Sequence, residues 1–233
     1  QGRVVDGNLR KVILYLFATS LDEVAVLLAA LLAGLPLPLA AVQILWLNVV
    51  TEATLTVNLV MDPADGDEMR RAPIARREPL LGQAALRRML LLACTSAALG
   101  FGWFAWRLAR GVAIDQVRTE VFTLTAMCQW FNALNCRSAT RSVFDRQSLR
   151  NGWLVAGLAL SVVLQALVLY VPMLAALFHA VALPPATLLA LAGLATLVLA
   201  VEEGRKTVAR RRGSRRRDSS SGQRSAAQSI DRS

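Results

Sequence analysis

The chain has 233 residues, 55% of them hydrophobic and 18% charged, with a formal net charge of +10. A mean hydropathy of +0.46 is high for a soluble domain of this length, and the apolar residues come in long blocks rather than amphipathic stripes, which points to membrane spans. Basic residues lie between the blocks and at the end, with no groove-binding element beside them, which argues against a nucleic-acid partner and for a role in membrane orientation.

Residues 1–9 are polar and carry neither an initiator methionine nor a signal-peptide cleavage pattern; they read as the start of a cytoplasmic stalk. Six apolar segments follow, near 10–33, 38–60, 83–108, 118–137, 152–174 and 184–203, each of a length that matches a ~30 Å hydrocarbon core. The expected fold is therefore an all-α membrane protein, a six-transmembrane-helix bundle occupying residues 10–204. The first two segments are joined only by Gly34-Leu-Pro-Leu-Pro38, so they must form an antiparallel hairpin.

The first segment carries Ser20, Asp22 and Glu23. Ser20 and Glu23 share a helical face, while Asp22 is turned about 100° from Glu23. The second contains Leu45-Trp46-Leu47-Asn48-Val49-Val50-Thr51-Glu52, in which Asn48, Thr51 and Glu52 stand at i, i+3 and i+4 and share one face. A carboxylate at mid-membrane depth costs roughly 2.5 kcal/mol or more. Across the hairpin, Glu23 and Glu52 can face one another. Two carboxylates in low dielectric repel, so one takes a proton unless a cation sits between them. Oxygen ligands of this kind suit a bare cation.

The loop from Met61 to Glu68 holds Asp62, Asp65 and Asp67, but the spacing is wrong for an EF-hand; it reads as a cytoplasmic surface that contacts another domain. The fourth segment carries Gln129, Asn132 and Asn135 at intervals of three. Their amides could complete a coordination shell or could make interhelical hydrogen bonds. The fifth and sixth segments hold almost nothing chemical and read as packing and lipid contact. Cys94, Cys128 and Cys136 show no CxxC spacing and read as small apolar residues. His179, the only histidine, reads as an interfacial residue.

Loops rich in Arg and Lys alternate with poor ones, broken only by Arg107, Arg110 and Arg118, so the positive-inside rule places both termini in the cytoplasm. Residues 205–233 form a basic tail, which from about Gly213 onward is Arg, Ser, Gln and Asp and is expected to be disordered. The tail's basic half either rests on anionic lipid or is a solvated charge run.

At this point the residues resemble a known family. Gly7-Asn8-Leu9-Arg10-Lys11 leading to Tyr15-Leu16, then Val42-Gln43-Ile44-Leu45-Trp46-Leu47-Asn48-Val49-Val50-Thr51, then Met61-Asp62-Pro63 with Pro73 and Glu78-Pro79-Leu80, and finally Phe131-Asn132-Ala133-Leu134-Asn135-Cys136-Arg137-Ser138, occur in the order found in the carboxy-terminal membrane region of cation-transporting P-type ATPases. The resemblance implies that the six segments are the last six of ten spans. It implies that Glu23, Ser20, Asn48, Thr51, Glu52 and Gln129 fall on cation-ligating positions, with Ser20, Glu52 and Gln129 departing from the usual asparagine, aspartate and glutamate. It implies Ca2+ first among transported cations, and a single cation per cycle because Ser20 and Gln129 weaken one of the family's two sites.

No Asp-Lys-Thr-Gly or Walker A pattern occurs. By the resemblance, the actuator, nucleotide-binding and phosphorylation domains and the first four membrane helices would be partners supplied elsewhere, with Mg-ATP needed only by the complete pump. The chain alone is then not expected to hydrolyse ATP and reads as a fragment of an integral, multi-pass membrane protein. Two other readings are a secondary cation transporter or channel, which internal repeats would favour though none is seen, and a non-transporting membrane remnant.

Overall fold

The computed structural model describes residues 2–61, 82–137 and 152–230, with side chains between residues 5 and 209. The acidic segment after Met61, the basic residues at 70–77 and those at 141–150 lie outside the described residues. Among the described residues every regular element is helical: α1 (Gly2–Leu32), α2 (Ala41–Trp46), a π-helical turn (Leu47–Thr51), α3 (Glu52–Val60), α4 (Gln83–Ala109), α5 (Ile114–Cys136), α6 (Gly152–Tyr170), α7 (Pro172–Leu177) and α8 (Pro185–Ile230).

The chain reverses where its residues cannot continue a helix. After α1, Gly34 adopts φ +67°, a conformation that costs glycine nothing. Its N–H bonds to the Leu31 carbonyl at 3.1 Å and the Leu35 N–H to the Ala30 carbonyl at 2.9 Å. These two bonds are the Schellman closure, which satisfies carbonyls left open at a helix end. Gly111, at φ +74°, closes α4 in the same way. His179 does so after α7 at φ +49°, so the lone histidine occupies an exposed turn.

α1 is the central rod and packs against α3, α4 and α5, while α5 is held between α4 and α8. Asn8 donates to the Val60 carbonyl at 2.9 Å and ties the start of α1 to the end of α3. Asp6, in the expected stalk, and Arg10, the first residue of the expected bundle, form an i,i+4 ion pair at 3.0 Å. On the other side of α3, Thr54 and Ser161 exchange a hydroxyl bond of 2.7 Å. One turn away, Gly157 leaves room for the Asn58 amide, which a Cβ there would overlap. Small residues allow this close approach of membrane helices.

Among the described residues, four helices are long and apolar enough to cross a bilayer: Val5–Leu32, Gln83–Ala109, Gly152–Tyr170 and Pro185–Ala209. The second and fourth expected spans do not reach that standard, for different reasons. The stretch from Ala41 to Val60 is helical throughout but is divided by the π turn. α5 is too polar, with Thr119, Glu120, Thr123, Thr125, Gln129, Asn132 and Asn135 among its residues. All of these are buried. A helix enclosed by others needs no apolar coat toward lipid, because its polar groups find partners on its neighbours.

α8 runs on without a break from Pro185 to Ile230, past the expected end near 203 and into the tail expected to be disordered. Arg, Lys, Ala and Gln are good helix formers, and extending an existing helix avoids the cost of nucleation.

Candidate cation site

α1 and the α2–α3 stretch run antiparallel, so residues pair across them in a fixed register. Thr19 and Glu23 lie one turn apart on α1; Asn48 and Glu52 lie one turn apart opposite them. The Thr19 hydroxyl donates to Glu52 Oε1. Asn48 Nδ2 donates to Glu23 Oε2 at 2.7 Å. From α5, Gln129 Nε2 donates to Glu23 Oε1 at 3.0 Å. Both oxygens of Glu23 are therefore engaged, by two different helices. The two carboxylates are within electrostatic reach of each other. Glu23 is 4% and Glu52 5% exposed, so their charge cannot be dissipated in water.

The π turn lies within this site. The Glu52 N–H bonds back to the Leu47 carbonyl, an i→i+5 bond in place of i→i+4. Such a turn widens the helix locally, and turns of this type gather at functional sites. Irregular backbone at membrane depth is tolerated where protein covers it, and here Leu47 and Thr51 are buried. Asn48 also donates to the Ile44 carbonyl at 2.9 Å, which orients its amide toward Glu23.

Glu23, Asn48 and Gln129 thus meet in one hydrogen-bonded group, with Glu52 beside it. Thr51 is buried, 3% exposed, in the same turn. Ser20 is exposed and is not brought into the group. Its neighbour Thr19 takes the place across from Glu52, and the signal for it was available: Thr19 precedes Glu23 by four residues, one helical turn. The Thr19 hydroxyl also lies 3.1 Å from the Tyr15 carbonyl and 3.0 Å from the Leu16 carbonyl. With a single proton to donate, it can serve Glu52 or its own helix.

Asp22 is turned away from this group, 1% exposed, and neither oxygen has a hydrogen-bond partner among the described residues. Asn132 donates to Ser96 Oγ at 3.2 Å, and Asn135 donates to the Val198 carbonyl at 3.2 Å. These two amides hold α5 to α4 and to α8.

Among the described residues, no three or more His, Cys, Asp or Glu side chains cluster closely enough to hold a metal ion. The donors available near Glu23 and Glu52 are carboxylate, amide and hydroxyl oxygens. Such a set fits a hard cation rather than a thiophilic metal. The three cysteines are free thiols, Cys128 and Cys136 buried and Cys94 exposed.

Two further ionic groups were not visible from spacing. Arg107 grips Glu120 through two bonds of 2.6 and 2.7 Å, joined by Trp103 Nε1 at 2.9 Å and Gln116 Nε2 at 3.1 Å. At the other end of the bundle, Arg88 Nε donates to Glu202 Oε1 at 2.7 Å and Arg88 also donates to the Asn135 carbonyl. Arg205 supplies two more bonds to Glu202, at 2.7 and 2.8 Å. The last segment therefore carries a buried carboxylate where only packing was expected.

The family profile described as "Cation transporting ATPase, C-terminus" matches residues 36–208. The chain is 34% identical over 172 residues to the probable cation-transporting ATPase F of Mycobacterium tuberculosis, covering 74% of this chain and 19% of that protein. It is 34% identical over 201 residues to a calcium-transporting ATPase of Bacillus subtilis, covering 84% and 22%. It is 29% identical over 205 residues to the human calcium-transporting ATPase type 2C member 2, covering 87% and 22%. The chain spans about a fifth of the length of these curated relatives.

Proposed function

Because the chain belongs to the cation-transporting ATPase family, as its C-terminal multi-pass membrane region, we propose that Glu23, Glu52, Asn48, Thr51 and Gln129 hold the transported cation and that Thr19 completes this set in place of Ser20. The observation that carries the reading is the pairing across α1 and the π turn. Glu23 and Glu52 are buried carboxylates one helical turn apart along the same interface, each held by a neutral side chain from the facing helix. Two negative charges there attract a cation strongly in low dielectric and repel each other without one.

The amides are suited to both conditions. Asn48 and Gln129 now turn their N–H groups toward Glu23. Rotating either amide by 180° presents its oxygen to the same point. The Gln129 oxygen has no hydrogen-bond partner among the described residues, so that rotation sacrifices nothing on its far side. The π turn gives the helix bearing Asn48, Thr51 and Glu52 a place to shift by part of a turn. Movement there would open the site toward one face or the other, which is alternating access.

In the complete pump, phosphorylation elsewhere would drive that shift, with α1 as the transmitting rod. The relatives named as calcium-transporting ATPases support Ca2+ as the cargo, and a single carboxylate pair supports one ion per cycle. The partners would be the lipid bilayer, the actuator, nucleotide-binding and phosphorylation domains, and four preceding membrane helices; Mg-ATP would serve only the complete pump. We assign six spans within residues 10–204, with both termini cytoplasmic. The stretch from Ala41 to Val60 has the length of a crossing helix, and α5 would cross shielded by its neighbours.

The test is Glu52→Gln in the reconstituted complete pump. The expected result is loss, or at least a tenfold weakening, of cation-dependent phosphorylation. Unchanged cation dependence would remove Glu52 from the site, and two ions bound per phosphorylation would reject the single-ion assignment.

A further inference from the structure

A groove of about 360 Å³ runs between α4 and α8, lined by Ala98, Leu99, Gly102, Trp103, Trp106 and Leu194. Its lining is apolar, and both walls are helices long and apolar enough to cross a bilayer. Gly102 forms part of the floor: a Cβ added there would meet nothing within 4 Å, so the space is open. Trp103 is pinned as a wall by its bond to Glu120. Trp106 leans on it at a ring separation of 5.1 Å and is 44% exposed.

One end of the groove is cationic. The Arg110 guanidinium lies 4.6 Å over the Trp106 ring, and Arg110 is exposed just past the end of α4. Of the acids at this end, Glu120 is held by Arg107 at 2.6 Å and Asp115, 65% exposed, lies 3.9 Å from Arg118. Arg110 has no carboxylate among its contacts with described residues; its contact is the aromatic face. An apolar trough inside the bilayer, ending in paired tryptophans and an uncommitted arginine at the helix terminus, has the head-and-tail pattern of a lipid.

We propose that this groove binds an anionic glycerophospholipid, with one acyl chain lying over Gly102 between Trp106 and Leu194 and the phosphate paired with Arg110. Charge complementarity selects the anionic headgroup. Apolar area alone adds little selectivity, because lipid tails are as apolar as the groove. Arginine suits a phosphate because its planar fork makes two parallel bonds and can stack on tryptophan at the same time.

The experiment places the chain in phosphatidylcholine nanodiscs carrying a minority of phosphatidylglycerol with brominated acyl chains, or the same amount of brominated phosphatidylcholine. Bromine quenches tryptophan fluorescence on contact. The readout is the difference between the two lipids, to which tryptophans far from the groove contribute equally. One arginine near an anionic headgroup corresponds to about fivefold enrichment, so brominated phosphatidylglycerol should quench more strongly at low mole fraction. Arg110→Gln should abolish the preference and Arg110→Lys should retain part of it. Gly102→Leu should fill the trough and reduce quenching by both lipids. Equal quenching in the unmodified chain, or a preference that survives Arg110→Gln, overturns the proposal. Quenching by both lipids that Gly102→Leu leaves unaltered also overturns it.

Discussion

Removing Glu202 should damage the bundle more than removing any residue that contacts it. Its side chain is 0% exposed and collects Arg88 at 2.7 Å from α4 and Arg205 at 2.7 Å from its own helix. Glu202→Leu removes the carboxylate that the Arg88 guanidinium, 7% exposed, meets at 2.7 Å. Breaking a buried pair in this way costs about 3–5 kcal/mol, which for a chain of this size lowers the midpoint of thermal unfolding by roughly 6–20 °C. Arg88→Leu is milder, because Glu202 keeps both bonds from Arg205; the loss is that of charged hydrogen bonds, about 1.5–3 kcal/mol. Arg205→Leu is milder still: its side chain is 28% exposed, and pairs open to solvent contribute about 0–1 kcal/mol. The double variant Arg88→Met/Glu202→Leu should recover most of the loss, since apolar replacement of a whole buried pair is often neutral. Thermal unfolding in a single detergent measures the series. If Glu202→Leu and Arg88→Leu both melt within about 1 °C of the parent, or if Arg205→Leu is the worst of the three, the cluster does not hold α4, α5 and α8 together as described.

Thr19→Val and Ser20→Ala separate contact from position in the sequence: Thr19→Val removes the donor to Glu52 and should change cation-dependent phosphorylation of the complete pump severalfold, whereas Ser20→Ala, on an exposed face, should leave it within about twofold; equal effects would contradict the register. Gly157→Val should destabilise the α3–α6 contact by about 1–3 kcal/mol through overlap with the Asn58 amide. Gly193→Ala, whose Cβ meets open space, should be neutral or stabilise by up to about 1 kcal/mol in the same melting assay, and the reverse order would show that α6 does not approach α3 there.

Much of the helical order is local information and was legible in the residues. Long apolar blocks mark α1, α4, α6 and the first half of α8, because apolarity sustained over a bilayer's thickness has few other uses. Gly34 and the two following prolines mark the hairpin, because they cannot extend a helix. α5 was legible as a helix, but not as a covered one. Its polar residues are affordable only because α1, α4 and α8 surround it, and no window of its own sequence carries that fact. The π turn is equally illegible, since Leu47–Thr51 has ordinary helical residues and its wider hydrogen bond arises where the helix must present Asn48 and Glu52 to α1.

The same division holds at the candidate site. Spacing alone determined that Glu23 and Glu52 lie in neighbouring antiparallel segments, and that Asn48, Thr51 and Glu52 belong to one stretch of helix. Helical periodicity is a property of contiguous residues. Only the tertiary structure decided that Asn48 meets Glu23, that Thr19 rather than Ser20 meets Glu52, that Gln129 joins them from 106 positions away, and that Glu202 closes on Arg88. Those pairings depend on how far each helix is rotated and slid against its neighbours, which the packing of the whole bundle sets.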